Sequence, residues 1–172
     1  MTEAMNNLLT RRSIRRYKDT QVPDDLLDQV LEAGLYAPTG MNTQNIVMVA
    51  VRNQETRDLM SKLNAAVMGS NRDPFYGAPC IIVVLGYADG YPVVENGSLV
   101  LGNLMNAAHA VGLGSCWIHR AKQVFESPEG KALLRRWGLS EDLVGVGNCI
   151  LGYADEDPAP KPRKEGRIVK IG

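Results

Sequence analysis

Apolar residues along this chain form two patterns, continuous runs of strand length and runs with helical spacing. The continuous runs predict buried strands, and the first of them fits a strand covered on both faces. They occupy residues 46–51, 78–85, 115–118 and 143–151. Helical spacing predicts helices over residues 2–9, 22–35, 54–68, 94–111 and 127–137. Helices and strands alternate, but without the regular rhythm of a doubly wound sheet.

The last 18 residues have a different character. Pro158, Pro160 and Pro162 exclude a packed helix, and residues 167–171 have the pattern of a final strand. No hairpin partner precedes that strand, so we expect residues 155–172 to extend onto another subunit and add an edge strand there. No linker or repeat divides the chain, which predicts a single domain over residues 1–172.

Composition narrows the function without identifying it. The 172 residues carry 19 basic and 19 acidic side chains, and this zero net charge argues against a dedicated nucleic-acid binder. Three cysteines in apolar settings lack any metal-binding spacing, so we expect no metal site and reduced thiols in a cytoplasmic protein. No apolar run has the pattern of a signal peptide or of a membrane span, and we expect no membrane association.

Two basic clusters stand out against this neutral background. Arg11, Arg12, Ser13 and Arg15 bring guanidinium groups and a hydroxyl together in RRSIRRY, as a phosphate requires. Such a run is also typical of a solvated helix face. The pair Lys161 and Arg163 flanks Pro162 near the other end of the chain, where it is either a solvated tail or a second contact to the same phosphate.

Known catalytic and nucleotide-binding motifs are missing. The Gly-Leu-Gly at residues 112–114 follows a predicted helix, and Gly145-Val146-Gly147 lies inside a predicted strand, so neither is a dinucleotide fingerprint. No Ser/His/Asp arrangement is present. An enzyme with this sequence would therefore depend on a bound cofactor for its chemistry, with no catalytic side chain.

A family resemblance joins these features. RRSIRRY (11–17), VPDDLLDQVLEAGLYAPTGMNTQ (22–44), NLMNAAHAVGLGSCWI (103–118) and VGVGNCILGYADEDPAPKPR (144–163) resemble the nitroreductase family of FMN-dependent NAD(P)H oxidoreductases. The resemblance implies an α+β fold, a mixed β-sheet flanked by helices, in an intertwined homodimer with two FMN sites at its interface. It implies hydride transfer from NADH or NADPH to nitroaromatic, quinone or similar electron-poor small molecules by a ping-pong mechanism.

The resemblance also assigns cofactor-binding residues. Arg11, Arg12, Ser13 and Arg15 would hold the phosphate, ribityl chain and pyrimidine edge of FMN, and Lys161 and Arg163 would close on the phosphate. The partner subunit would supply the loop that flanks the flavin ring: Pro38, Thr39, Gly40, Met41, Asn42 and Gln44. Trp117, Ile118 and His119 would line the other side, with a backbone amide near Arg120 approaching flavin N5; which residue supplies it stays open. Asn71 is a weaker candidate for the pyrimidine edge.

The chain departs from the family pattern in three places. Asn45-Ile46 replaces the usual proline and aromatic residue, Asn96 replaces a frequent aspartate, and His119 replaces a frequent glycine. Other flavin chemistry therefore remains an alternative function, such as enone reduction, dehalogenation or flavin handling. A non-enzymatic anion- or nucleic-acid-binding domain built on RRSIRR is a further alternative.

Overall fold

A computed structural model describes residues 1–89 and 91–172, and its centre is a four-stranded antiparallel sheet. The strands are β1 Ile46–Val51, β2 Cys80–Tyr87, β3 Gly114–Ile118 and β4 Leu143–Gly152, in the order β1-β2-β4-β3. The helices are α1 Glu3–Thr10, α2 Asp24–Leu35, α3 Gln54–Met68, α4 Val93–Ala110, α5 Ala121–Glu126 and α6 Pro128–Arg136. The predicted α+β architecture is confirmed, with all four predicted strands and all five predicted helices recovered within a few residues.

The short helix α5 was not predicted, and it lies directly before α6, the fifth predicted helix. Ser127 separates the two helices with extended backbone angles, and its hydroxyl accepts a hydrogen bond from the Gly130 N–H at 3.1 Å. Pro128 then occupies the first turn of α6, where its missing N–H costs nothing. The helical pattern of residues 121–126 is only six residues long, too short to stand out in the sequence.

Helices cover both faces of the sheet, and β2 is buried throughout its apolar run. Ile81 and Val83 face one cluster with Met60 of α3 and Leu133 of α6, and the alternate residues of β2 face a second cluster built on α2 and α4. This alternation follows from the period of two in a strand. Burial on both faces explains why the run is apolar without interruption.

The sheet edges differ from the prediction. β1 lies at one edge and is mostly half-buried in this chain, not covered on both faces. Every pair of full strands is antiparallel, so the parallel part of the expected mixed sheet is limited here to one bridge between Ser13 and Ser115. Residues 167–171 form no strand within the chain, and their predicted pairing with a partner stays a prediction. Within the described residues, no helix combines the length and apolarity needed to cross a membrane.

Candidate functional site

The arginine-rich segment after α1 lies along the outer edge of β3. The Ile14 N–H donates to the Ser115 carbonyl at 3.0 Å, beside the Ser13–Ser115 bridge. Further along, Tyr17 forms a bridge with Ala154 just after β4. These backbone contacts fix the segment at both ends, and they place Arg11 and Arg12 near the start of β3 and Arg15 nearer its end.

Arg11 and Arg12 line a cavity of about 270 Å³ at the start of β3. Nη1 of Arg12 donates to the carbonyls of Leu9 and Arg11, at 2.9 and 2.7 Å. Nη1 of Arg11 and Nε of Arg12 are buried and have no hydrogen-bond partner among the described residues. An unsatisfied buried donor costs about 1–3 kcal/mol, and more when it is charged. Two such atoms beside one cavity therefore indicate a site for an anion.

His109, at the end of α4, lines the same cavity. Thr10 donates its hydroxyl to the Asn6 carbonyl at 2.7 Å, so the 2.9 Å contact between Thr10 Oγ1 and His109 Nε2 requires the N–H to be on Nε2. Burial, followed by the nearby charges of Arg11 and Arg12, lowers the pKa of His109. The acidic side chains of residues 156 and 157 complete the cavity lining.

A second cavity of about 430 Å³ lies at the other end of β3. Trp117, Ile118 and His119 line it, together with Arg15, Arg120 and the 72–76 loop. The prediction places Arg15 in one group with Arg11, Arg12 and Ser13. Ser115 lies at the first cavity and His119 at the second. The two residues are four positions apart, which corresponds to about 13 Å along a strand. The two cavities therefore follow each other along one strand edge, the first lined by two arginines and two acidic residues, the second broader.

The end of β3 is held by buried amide side chains. Asn64 of α3 donates from Nδ2 to the His119 carbonyl and accepts at Oδ1 from Nε of Arg120, both at 2.9 Å. Asn148 of β4 donates to the Ile118 carbonyl at 3.3 Å. Arg120 has a left-handed backbone, with φ 76°. The Trp117 indole packs over Gly147 against the α4 side of the core, so this residue serves the core as well as the cavity.

The loop before β1 lies at the sheet edge opposite the arginine-rich segment. Pro38, Thr39, Gly40, Met41, Asn42 and Gln44 lie beside β1, whereas the arginines lie beside β3 at the opposite sheet edge. Three strand spacings separate these edges, about 14 Å. One chain therefore does not bring its own loop to its own arginines. This separation is what the prediction of a loop contributed by a partner subunit requires.

Buried amides also anchor this loop. Asn96 of α4 accepts from the Gly40 N–H and donates to Oδ1 of Asn45, both at 2.9 Å. Asn96 is only 1% exposed. Two of the residues that depart from the family pattern, Asn45 and Asn96, are thus in direct contact. An aspartate at position 96 would have no N–H to offer Asn45.

Three further predicted residues are not brought to either cavity. Lys161 and Arg163 lie in the exposed tail, and within the described part of the chain neither makes a hydrogen bond or an ion pair. Asn71 borders a separate cavity beside α3. Its neighbour Arg72 reaches the second cavity instead.

Sequence reasoning missed Asn64, Asn148 and His109 as site residues. Asn64 occupies the buried stripe of α3, at helical spacing from Met60 and Ser61. A polar residue on the buried stripe of a helix is a signal that could have identified it, since buried polar groups need partners. Its partners His119 and Arg120 are 55 and 56 residues away, and no local pattern predicts that contact.

Comparison with known proteins is consistent across the whole chain. The model of the Nitroreductase family matches residues 8–153. A protein of Archaeoglobus fulgidus, provisionally named an NADH dehydrogenase/NAD(P)H nitroreductase, is 29% identical over 91% of this chain and 88% of its own length. An FMN reductase (NAD(P)H) of Bacillus subtilis is 25% identical over 95% of this chain and 70% of its own. The crystal structure of a nitroreductase with bound FMN from Bacteroides fragilis superposes with a TM-score of 0.92 at 27% identity, covering 100% of both chains.

Proposed function

Because this chain belongs to the nitroreductase family, we propose that it is an FMN-dependent oxidoreductase that accepts hydride from NADH or NADPH. It passes the electrons to a nitroaromatic, quinone or similar electron-poor small molecule, and the two half-reactions alternate in a ping-pong cycle. Crystal structures of two nitroreductases, 27% and 25% identical to this chain, contain bound FMN. NAD(P)H is the donor in the names of its relatives.

The unpartnered guanidinium nitrogens of Arg11 and Arg12 are the observation that carries this proposal. Both are buried, and both side chains line the cavity at the start of β3. A phosphate dianion offers several acceptor oxygens to such donors, and guanidinium groups bind phosphate with directional, charge-assisted hydrogen bonds. The donor set of this chain thus fits the phosphate end of FMN. Ser13 lies next to it on the same strand edge.

The second cavity fits the ring end of the same ligand. It lies about 13 Å further along β3, and Arg15 and His119 line it. When bound, FMN supplies the hydride-accepting and hydride-donating chemistry of the reaction. A guanidinium at the pyrimidine edge stabilises negative charge that develops there on reduction. Trp117 and Ile118 supply the apolar wall of this cavity.

The active unit in this proposal is a homodimer. The loop from Pro38 to Gln44 lies at the sheet edge opposite the arginines, so a second copy of the chain has to bring it to the ring. Met41 is 90% exposed in the single chain, which suits a residue that contacts a partner. Lys161 and Arg163 reach the phosphate in this assembly when the tail, residues 155–172, docks on the partner. The buried, unpaired thiols of the chain suit a cytoplasmic location.

A second candidate function is reduction of free flavin. Two relatives favour it by name, an FMN reductase (NAD(P)H) from Bacillus subtilis and an NADPH-flavin oxidoreductase from Vibrio harveyi, 25% and 26% identical. Steady-state kinetics with free FMN and with a nitroaromatic as competing acceptors separate the two functions. A higher kcat/KM for free flavin would assign flavin reduction as the main activity.

A visible absorption spectrum of the purified protein, followed anaerobically, tests the proposal. We expect flavin bands that bleach when NADH or NADPH is added, and the nucleotide that bleaches them faster is the preferred donor. Arg11→Ala should weaken FMN binding at least tenfold, since one charge-assisted hydrogen bond contributes about 1.5–3 kcal/mol. A colourless protein that takes up no added FMN would contradict the proposal and favour an anion-binding domain.

A further inference from the structure

The carbonyl groups at the end of β3 are held from the core side. Nδ2 of Asn64 donates to the His119 carbonyl at 2.9 Å, and Nδ2 of Asn148 donates to the Ile118 carbonyl at 3.3 Å. Both asparagines are 1% exposed. Two buried amides from two different elements thus fix two consecutive peptide units at the rim of the second cavity.

These contacts determine where the opposite sides of the peptide units point. In a trans peptide the N–H is antiparallel to the C=O, and the bond between His119 and Arg120 is trans. Because the His119 carbonyl points to Asn64 in α3, the Arg120 N–H points away from Asn64. Asn64 does not line the second cavity, whereas His119 and Arg120 do.

The same peptide geometry applies to His119, which follows the last residue of β3. Its N–H belongs to the trans peptide whose Ile118 carbonyl is held by Asn148 of β4, so the His119 N–H points away from Asn148. Among residues 1–89 and 91–172, neither the His119 N–H nor the Arg120 N–H has an acceptor. Both residues line the second cavity, so two backbone donors without a partner among the described residues lie at its rim.

Arg120 would not hold this arrangement without support. Its φ of 76° and ψ of 8° place it in the left-handed region, which costs a residue with a Cβ about 1–2 kcal/mol. Asn64 offsets this cost through both ends of its amide, donating to His119 and accepting from Nε of Arg120 at 2.9 Å. A single buried side chain thus contacts both residues of the strained turn.

We infer that Asn64 is a positioning residue, which fixes the His119–Arg120 peptide so that the Arg120 N–H is a preorganised donor to the acceptor edge of the flavin ring. The inference rests on the proposed function. It assigns to Arg120 the backbone amide that the sequence left open near N5. A donor already oriented before the ligand binds needs no reorganisation when negative charge develops on the ring.

Asn64→Asp is the test of this role. The aspartate keeps the shape and the acceptor for Arg120, but it loses the N–H that binds the His119 carbonyl and turns an oxygen toward that carbonyl. The matched control is Asn103→Asp, which removes the same kind of bond, from Nδ2 of Asn103 to the Ala33 carbonyl at 2.9 Å, between α4 and α2. Asn64→Ala is the second variant, which carries no new charge.

We expect Asn64→Asp to bind FMN through the arginine cavity with an affinity within about threefold of the unchanged protein. Its flavin should have a more negative midpoint potential, a shifted absorption band, and about tenfold slower reduction by NAD(P)H, which corresponds to about 1.4 kcal/mol in the barrier. Asn64→Ala should change the potential in the same direction, and Asn103→Asp should leave all three unchanged. A flavin potential and reduction rate in both Asn64 variants equal to those of Asn103→Asp would overturn the inference.

A measurement on the unchanged protein makes the test independent of how the variants fold. In the ¹⁵N-labelled protein, addition of FMN should move the Arg120 amide proton downfield and slow its exchange with solvent. An Arg120 amide that FMN leaves unchanged would overturn the role of Asn64 while the proposed function stands. A protein that takes up no FMN would overturn both, and this outcome is recognised from the absence of flavin absorption in the unchanged protein.

Discussion

Replacement of Asn96 by leucine should release the loop before β1 without unfolding the domain. Asn96 accepts from the Gly40 N–H and donates to Asn45, and the leucine does neither. The Gly40 N–H then loses its acceptor, at about 1–3 kcal/mol, and one hydrogen bond to Asn45 contributes about 1 kcal/mol. The anchors removed are therefore worth about 2–4 kcal/mol.

The loop itself stores a comparable amount of strain. Met41, Asn42 and Gln44 have φ values of 51°, 55° and 48°, in the left-handed region. At about 1 kcal/mol each, with asparagine somewhat less, the three residues cost about 3 kcal/mol together. Because the lost anchors and the released strain are of similar size, the loop should relax while the sheet and helices remain folded.

Hydrogen exchange followed by mass spectrometry measures this directly. In Asn96→Leu, exchange protection of residues 39–44 should fall by about 30-fold or more, as expected when about 2 kcal/mol of local stability is lost. The midpoint of urea unfolding should change little more than in the control Asn103→Leu, which removes one amide-to-carbonyl bond from the same helix. Unchanged protection in the loop, or a global loss of 4 kcal/mol, would refute this account of the anchors and the strain.

Three further changes test electrostatics and strain. The pKa of His109 is lowered by burial and by Arg11 and Arg12, so its contribution to stability is present above about pH 6.5 and is lost as the pH falls further. In His109→Gln, the free energy of urea unfolding should therefore depend less on pH below about pH 6.5. The same pH dependence in the variant and the unchanged protein would contradict this. Asp73 is partly buried, which opposes ionisation, yet hydrogen bonds from Ser61, Arg57 and two backbone N–H groups lower its pKa. The stability that ionised Asp73 contributes is present above about pH 4 and is lost below it. In Asp73→Asn, the melting temperature should therefore change less with pH between about pH 3 and 5. Met41→Gly should raise the unfolding free energy by up to about 1 kcal/mol by relieving the left-handed backbone, whereas a loss would show that the Met41 conformation carries no strain.

The sequence predicts the sheet and the helices well because local patterns of apolar residues indicate which of their faces are buried. The apolar run around β2 is uninterrupted since both of its faces are covered, and Ser127-Pro128 is a local signal for the start of α6. The first turn of α5 follows a left-handed arginine, which no propensity favours. α5 was missed for that reason and because its six residues are too few to give a clear helical pattern.

The site is only partly predictable. Arg11 and Arg12 are adjacent in sequence, so their joint role is visible as a cluster, and the structure adds that two of their nitrogens have no partner among the described residues. Asn96 and Asn45 stand out in sequence as departures from a family pattern, but their contact spans 51 residues. A hydrogen bond between two buried amides leaves no periodic trace, and only the folded chain shows that one departure accommodates the other.

The opposite positions of the loop and the arginines lead to the sharpest test of the dimer. In the proposed homodimer each flavin site takes its arginines from one chain and its loop from the other. Arg11→Ala damages the arginine half of both sites, and Asn96→Leu damages the loop half of both. In a mixed dimer of the two variants, one site receives both defects and the other receives none.

Coexpression of Arg11→Ala and Asn96→Leu should therefore restore about a quarter of the flavin-dependent activity, since random pairing makes half the dimers mixed and half their sites intact. Each variant alone should be nearly inactive. The control is coexpression of Arg11→Ala with Arg12→Ala, in which both substitutions lie in the arginine half of the site. Each site of a mixed dimer then contains one of the two substitutions, so no activity should return. If the site were built within a single chain, every chain would carry one defect and neither mixture would recover. Recovery in the first mixture alone is the outcome that the two sheet edges, about 14 Å apart, require.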